Sequence, residues 1–275
     1  MKAVRRLARD WAAVAGFVVL VVLTLATILA PWILPYGFAE GVALPFEPPS
    51  ARYWLGTDEV GRDIFTRIIY GARVSLSVGV VSTTIALLGG IPLGLISGYF
   101  GGVVDSIVMR LMDMMFAFPA IILALAIVAV LGPSLVNAMI AIGVMQIPLF
   151  ARLVRAATLS LRSQEFVQAA VASGARPARV MAVHILPNCM AAITVQFTLT
   201  FASAVLVEAA LSFLGLGVAP PQPSWGAMLD TGRKLITISP LYSVAAGAAI
   251  FVTVLGLNLI GDALRDVLDP RMARR

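Results

Sequence analysis

Long uninterrupted apolar runs, rather than any short alternation, dominate the hydrophobic pattern of this chain. The first extends from Trp11 to Leu34. Others follow from about Ser75 to Ile96, Met112 to Leu131, Leu135 to Phe150, Met190 to Leu214 and Leu241 to Ile260. About 20 residues of α-helix cross the ~30 Å hydrocarbon layer of a bilayer. The pattern therefore predicts six transmembrane helices. A membrane β-barrel would need short segments of strict apolar/polar alternation, and these continuous runs of Ala, Leu, Val and Ile lack it. The first run follows a basic segment, as in a secretory signal. Its length, about twice that of an ordinary signal core, predicts a retained span.

The polar stretches between the runs differ in character. From Pro35 to Arg73, Pro35, Pro45, Pro48 and Pro49 mark irregular loop. Asp63 to Tyr70 then predicts a short interfacial helix with Ile64, Phe65, Ile68 and Ile69 on its apolar face. Within the second run, Gly89-Gly-Ile-Pro-Leu-Gly94 supplies small residues that let membrane helices approach closely. Pro92 is expected to kink that helix. Gly132-Pro133-Ser134 reads as a tight turn, and Gly215 to Pro240 as a Gly/Pro-rich polar loop. Ala151 to Asn188 is a long basic stretch with no span of its own.

Composition and charge sharpen this reading. Of 275 residues, 60% are hydrophobic and 12% charged, against about 25% charged in a soluble domain. Too few charges remain to cover a water-facing surface, which excludes a soluble globular domain. With six spans, both termini share one side. Arg52, Arg62, Arg67, Arg73, Arg233 and Lys234 fall on the other, and the remaining 14 of the 20 basic residues fall with the termini. Basic residues concentrate in cytoplasmic loops, so both ends are expected in the cytoplasm. The net charge of +6 then reports topology and not nucleic-acid binding. The lone Cys189 and lone His184 exclude an intrachain disulfide and argue against a Cys/His metal site; both residues are read as structural. No GxxxxGK[ST] loop is present, so the chain is not expected to bind ATP by that route or to act as an enzyme.

The 151–188 stretch carries the functional signal. Ser163-Gln-Glu165 opens a helix, Phe166, Ala169, Ala170 and Ser173 recur at helical spacing, and Gly174 suits a C-terminal cap of positive φ. Pro177 suits the first turn of a second helix, and Pro187 marks the approach to the fifth span. Ala169, Ala170 and Gly174 would give a small-residue face that a partner can approach, with Arg176 and Arg179 at its rim. A helix resting on the membrane with solvated arginines is the competing reading. Gln168-Ala-Ala170, Gly174 and Ile185-Leu-Pro187 resemble the E-A-A-x3-G…L-P signature of permease subunits of ABC importers, with Gln168 in place of the usual Glu. Glu208-Ala-Ala210 is a false match: it lies inside a span and lacks the glycine and Leu-Pro.

The resemblance extends to Leu55-Gly-Thr-Asp-Glu-Val-Gly-Arg-Asp63, Tyr70-Gly-Ala-Arg-Val-Ser75, His184-Ile-Leu-Pro-Asn188, Ala210-Leu-Ser-Phe-Leu-Gly-Leu-Gly217, Pro223-Ser-Trp-Gly226 and Gly261-Asp-Ala-Leu-Arg-Asp-Val-Leu-Asp-Pro-Arg271. Together these are similar to the C-type permeases of dipeptide/oligopeptide importers, whose relatives also carry nickel chelates, glutathione or opines. The resemblance implies an all-α type I importer fold in a bacterial or archaeal cytoplasmic membrane. It further implies a second related permease as heterodimer partner, two ATP-binding cassette subunits that hold ATP and Mg, and an extracytoplasmic substrate-binding protein. Lipid surrounds the spans, and nucleic acid is not a partner. The chain itself is expected to hold no cofactor and no metal.

On this reading residues 1–74 form the N-terminal tail, first span and outer loop, residues 75–265 the transmembrane core, and residues 266–275 a tail. Glu165, Gln168, Ala169, Ala170, Gly174, Ala175, Arg176 and Arg179 are the candidates for coupling to the ATPase. Asp58, Glu59, Arg62 and Asp63 either contact the binding protein or close their own loop by Asp–Arg pairs. Glu208, an ionisable group within a span, is a functional candidate by position. It either makes a structural pair, with an outer arginine or a partner helix end, or lines the pathway. Asp105, Arg110 and Asp113 read as structural charges at the end of span three. The rival class, a stand-alone secondary transporter or channel, would need several intramembrane ionisable groups, and only Glu208 qualifies.

Overall fold

A computed structural model describes residues 10–268. The basic residues Lys2, Arg5, Arg6, Arg9, Arg271, Arg274 and Arg275 lie outside the described residues. Every regular element among those described is helical. In chain order they are α1 (Trp11–Ile33), α2 (Ile64–Phe100), α3 (Gly102–Phe116), α4 (Ala120–Leu131), α5 (Leu135–Leu161), α6 (Glu165–Ala172), α7 (Pro177–Phe213), α8 (Trp225–Lys234) and α9 (Pro240–Leu268). Five of them, α1, α2, α5, α7 and α9, are each long and apolar enough to cross a membrane. A sixth segment, the pair α3–α4, is long and apolar enough only when its two helices are taken together, and it bends by 90° between Phe116 and Ala120. The third predicted span is therefore broken and begins ten residues early. Pro119 lacks the N–H that would continue α3, and α4 starts just after it.

Helices outrun the apolar runs almost everywhere. Asp63 caps α2 by accepting from the Thr66 amide at 2.8 Å, and the helix continues through Pro92 to Phe100. The short interfacial helix expected at 63–70 is thus the first turns of the second span. Likewise α5 passes Phe150 and ends at Leu161, so the basic stretch begins inside it. The polar 215–240 loop contains α8, which Ser224 caps by accepting from the Ala227 amide at 3.2 Å. Hydropathy marks the hydrocarbon layer. Backbone hydrogen bonding carries a helix on into the polar zone at no extra cost.

The closest pairing is α2 with α5. On α2, Gly90, Gly94 and Gly98 recur every four residues and so share one face. A Cβ at Gly90 would lie 2.5 Å from Phe150 Cβ, one at Gly94 2.5 Å from the Ala151 carbonyl oxygen, and one at Gly98 2.7 Å from Thr158 Cβ. Gly143 returns the favour on α5, where a Cβ would meet Ile85 Cβ at 2.6 Å. Backbones this close replace side-chain interdigitation with direct van der Waals contact, the usual basis of membrane helix association. A similar approach joins α1 to α9, where a Cβ on Gly16 would lie 2.5 Å from the Gly256 carbonyl oxygen.

Three apolar clusters fill the bundle. One joins the start of α2 to α7, α8 and α9 around Trp225, whose indole N–H donates to the Ile68 carbonyl at 2.9 Å. A second joins α2, α4, α5 and α7 around Val78, Val128 and Ile142. The third lies toward α6 and joins α2, α5, α6 and α7 around Phe150, Val154, Val167 and Ile185.

Candidate functional site

The α6 hairpin stands out because so little of it is buried. Val167 is 1% exposed and anchors the helix in the third cluster. Glu165, Phe166, Gln168, Ala169, Val171 and Ala172 are all exposed. Phe166 and Val171 thus leave apolar surface outside the core. The helix ends in a Schellman cap. Gly174 takes φ +82°, its amide donates to the Val171 carbonyl at 2.9 Å, and the Ala175 amide donates to the Ala170 carbonyl at 3.1 Å. A Cβ at Gly174 would meet nothing within 4 Å, so its glycine answers to backbone angle and leaves open space outside.

Pro177 follows at the first turn of α7, with Arg176 as N-cap. Arg176 and Arg179 are exposed, and neither has a carboxylate partner among the described residues. Gln168 turns its amide back to the Ser163 carbonyl at 3.3 Å, so the hydrogen-bonding capacity of this position is partly spent locally. Residues 180–185 of α7 form a π-helical segment. Pro187 offers no N–H to the helix there, and the side chain of Asn188 donates to the His184 carbonyl at 2.7 Å.

Glu208 sits in α7, 1% exposed, and faces its own subunit's interior. Its Oε2 accepts from Ser75 Oγ on α2 at 2.9 Å and its Oε1 from Ser212 Oγ at 2.7 Å. No arginine reaches it among the described residues. The carboxylate joins α2 to α7 through hydroxyls, a partnership for which spacing in the sequence gives no sign.

The loop that precedes α2 is closed by its own charges. Asp58 Oδ1 accepts from the amides of Val60 (3.0 Å) and Arg62 (2.9 Å), while Oδ2 pairs with Arg62 Nε at 2.6 Å and Arg67 Nε at 3.4 Å. Glu59 adds a second pair to Arg62 at 3.0 Å. The Asp58 side chain is fully buried, Arg62 is 11% exposed and Glu59 33%. Asp63 is consumed as the α2 cap. Of these four, Glu59 keeps the most surface.

Sequence reasoning missed how α5 grips its neighbours. Arg155 forms a two-pronged pair with Asp105 of α3: Nη2 donates to Oδ2 at 2.6 Å, and Nε to Oδ1. Arg152 pairs with Asp113 and stacks 4.3 Å from the Phe116 ring centroid. Arg162, the α5 C-cap, donates to the carbonyls of Gly98 (3.2 Å) and Tyr99 (3.4 Å) at the end of α2. The partners stand 39 to 64 positions apart, and no local spacing announces them.

The chain as a whole has counterparts in known proteins. Residues 90–274 match the family described as binding-protein-dependent transport system inner membrane component. Residues 1–49 match the N-terminal TM domain of oligopeptide transport permease C. The dipeptide transport system permease protein DppC of Alkalihalophilus pseudofirmus is 48% identical over 98% of this chain and 90% of its own length. The di/tripeptide transport system permease protein DppC of Pseudomonas aeruginosa is 44% identical over 96% and 90%. The glutathione transport system permease protein GsiD of Shigella dysenteriae is 44% identical over 98% and 89%. Among solved structures, an inward-facing MetNI methionine ABC transporter has a chain similar in fold, with TM-score 0.60 and 19% identity, covering 75% of this chain and 98% of that one.

Proposed function

The chain belongs to the family of binding-protein-dependent transport system inner membrane components, and from that premise we propose that it forms half of a translocation pathway for di- or oligopeptides or a related small solute such as glutathione. It is a multi-pass inner-membrane permease of an ABC importer with the type I importer fold. The partners in this reading are a second related permease, two ATP-binding cassette subunits carrying ATP and Mg, and an extracytoplasmic binding protein. The termini and α6 face the cytoplasm, and the loop around Asp58 faces outward.

The observation that carries the reading is the α6 hairpin. A helix held by one buried residue, capped rigidly and otherwise exposed but for the half-buried Ala170, suits a plug that seats in a groove of an ATPase subunit. Ala169, Ala170 and Gly174 keep the approach close, Ala175 packs back on the third cluster and sets the cap in place, Glu165 and Gln168 offer polar contacts, and Arg176 and Arg179 offer charge to carboxylates. Closure of the ATPase dimer would move α6, and with it α5 and α7 on either side. The cavity between the two permeases would then face outward, and inward again after hydrolysis. A ligand directs such a cycle only through different affinities for the two states.

The test is co-expression of the four kinds of subunit, pull-down through this chain, and uptake in vesicles. The wild-type chain should bring down the ATPase subunits. Gly174→Asp should keep its expression and its partner permease but lose uptake. Normal uptake in that variant would remove the docking role, and a chain that never binds ATPase subunits would remove the whole reading.

A further inference from the structure

Movement of α6 has to reach α3, which has no part in the apolar cluster that α6 shares with α2, α5 and α7, and the arginines of α5 offer a route. Arg155 and Arg162 are seven residues apart, two helical turns, and so lie on one face of α5. Arg155 grips Asp105 in the first turn of α3 with both carboxylate oxygens, and Arg162 grips the last carbonyls of α2 at Gly98 and Tyr99. Between them Thr158 packs on Gly98 with no room for a Cβ. The two arginines therefore hold the corner where α2 turns into α3, at positive-φ Gly101 and Gly102. Arg162 is also the residue from which the chain passes, through Ser163 and Gln164, into α6.

Two-pronged arginine–carboxylate pairs fix orientation as well as distance. Here Asp105 is 18% exposed and Arg155 32%, so the pair is partly shielded from water. The Arg152–Asp113 pair is different, being 47% and 64% exposed, and an ion pair in that setting contributes little.

We propose that Asp105, Arg155 and Arg162 form a clamp that makes the α2–α3 corner move with α5 and α6, so that ATPase closure is delivered to α2 and α3 as well as to α5 and α7. These are positioning residues, acting through the helices that they join. The proposal rests on the permease reading above and names the linkage within it.

The test uses the complete transporter, with its ATPase subunits, partner permease and binding protein, in proteoliposomes. Spin labels are placed at Ser106→Cys and Ser160→Cys, both exposed positions, in a Cys189→Ala background. The distance between them should be the same without nucleotide and after trapping with Mg-ATP and vanadate. Asp105→Asn should broaden it or make it nucleotide-dependent. A distance that already changes with nucleotide in the otherwise wild-type clamp overturns the proposal.

Coupling supplies the second arm. With radiolabelled dialanine as probe, Asp105→Asn should cut uptake at least tenfold while ATP hydrolysis by the complex stays within about twofold. The reversed pair, Asp105→Arg with Arg155→Asp, should recover a substantial part of the uptake. Asp113→Asn should leave the ratio of ATP used to dialanine imported unchanged. Equal loss of hydrolysis and uptake in Asp105→Asn, with no recovery in the reversed pair, would mean a merely structural role and overturn the clamp. If wild-type complexes import no dialanine, the spin-label distances decide alone. If the wild-type chain assembles no ATPase subunits, the permease reading falls first and the clamp falls with it.

Discussion

The amide of Ala175 donates to the carbonyl of Ala170 at 3.1 Å, across a Gly174 held at φ +82°. An L-residue in that left-handed region costs about 1–2 kcal/mol, and Asn bears it best. The empty space around the missing Cβ removes sterics from the comparison. Gly174→Val should therefore loosen the α6 cap and depress uptake more than Gly174→Asn, at equal expression. Vesicle uptake of labelled dialanine for the two variants checks the order.

Glu208 faces serines inside its own subunit, which separates its two possible roles by experiment. Glu208→Ala would strand the Ser75 and Ser212 hydroxyls in the interior, at about 1–3 kcal/mol for each buried group left unpaired. It should lower the unfolding temperature in detergent by several degrees. Glu208→Gln keeps a carbonyl acceptor and nearly the same volume. Uptake by that variant should stay near wild type once expression is matched, and a selective loss of uptake would return the residue to the pathway.

The glycine seam makes a sharper demand on space. Gly94→Ala puts a Cβ 2.5 Å from the Ala151 carbonyl oxygen, so α2 and α5 must part. Overpacking of this kind costs about 1–3 kcal/mol. Gly247→Ala, on α9, meets only Leu229 Cδ2 at 3.9 Å. It should be neutral or slightly stabilising, since Ala outranks Gly in a helix. Thermal unfolding of the two purified variants should move in opposite directions, or at least differ clearly.

Asp58 and Glu59 are adjacent in sequence and opposite in consequence. Asp58 holds two arginines and two amides from a fully buried side chain. Breaking a buried pair from one side costs about 3–5 kcal/mol. Asp58→Ala should thus unfold the outer loop, read as increased proteolysis between residues 35 and 63. Glu59→Gln removes one part-exposed pair, worth about 0–1 kcal/mol, and should leave that digestion pattern unchanged.

Much of this architecture was legible before any coordinates. The apolar runs found the five long spanning helices and the bent pair α3–α4, because hydrocarbon thickness sets the length of such runs directly. Gly174, Pro177 and the small residues of 89–94 were legible too, since each has few conformational uses. Three kinds of feature were hidden. A helix end in the polar zone, such as Leu161, leaves no mark in hydropathy, and neither does the continuity of the helix begun at Ile64 with the span that follows. The break at Phe116–Ala120 lies inside one continuous apolar run, so only Pro119 hinted at it. The partners of Arg155, Arg162 and Glu208 depend on which helices face one another, and that is settled by the fit of surfaces such as Gly90–Gly98 against α5. Single residues of α6 and its cap could be named from sequence; the corner that Arg155 and Arg162 hold could not.

The length of α2 has a consequence for the membrane around it. Its 37 residues make a rod of about 55 Å, whereas the bilayer with its headgroups measures about 40–45 Å. Tilted by about 40°, the upper end of the usual range, the rod still reaches about 42 Å. A bilayer that thickens or thins by a few ångströms is thus met by tilt alone, without drawing either end of α2 into the hydrocarbon. The chain is built around a strut longer than the layer it crosses, which frees its grip on both aqueous faces from the choice of lipid.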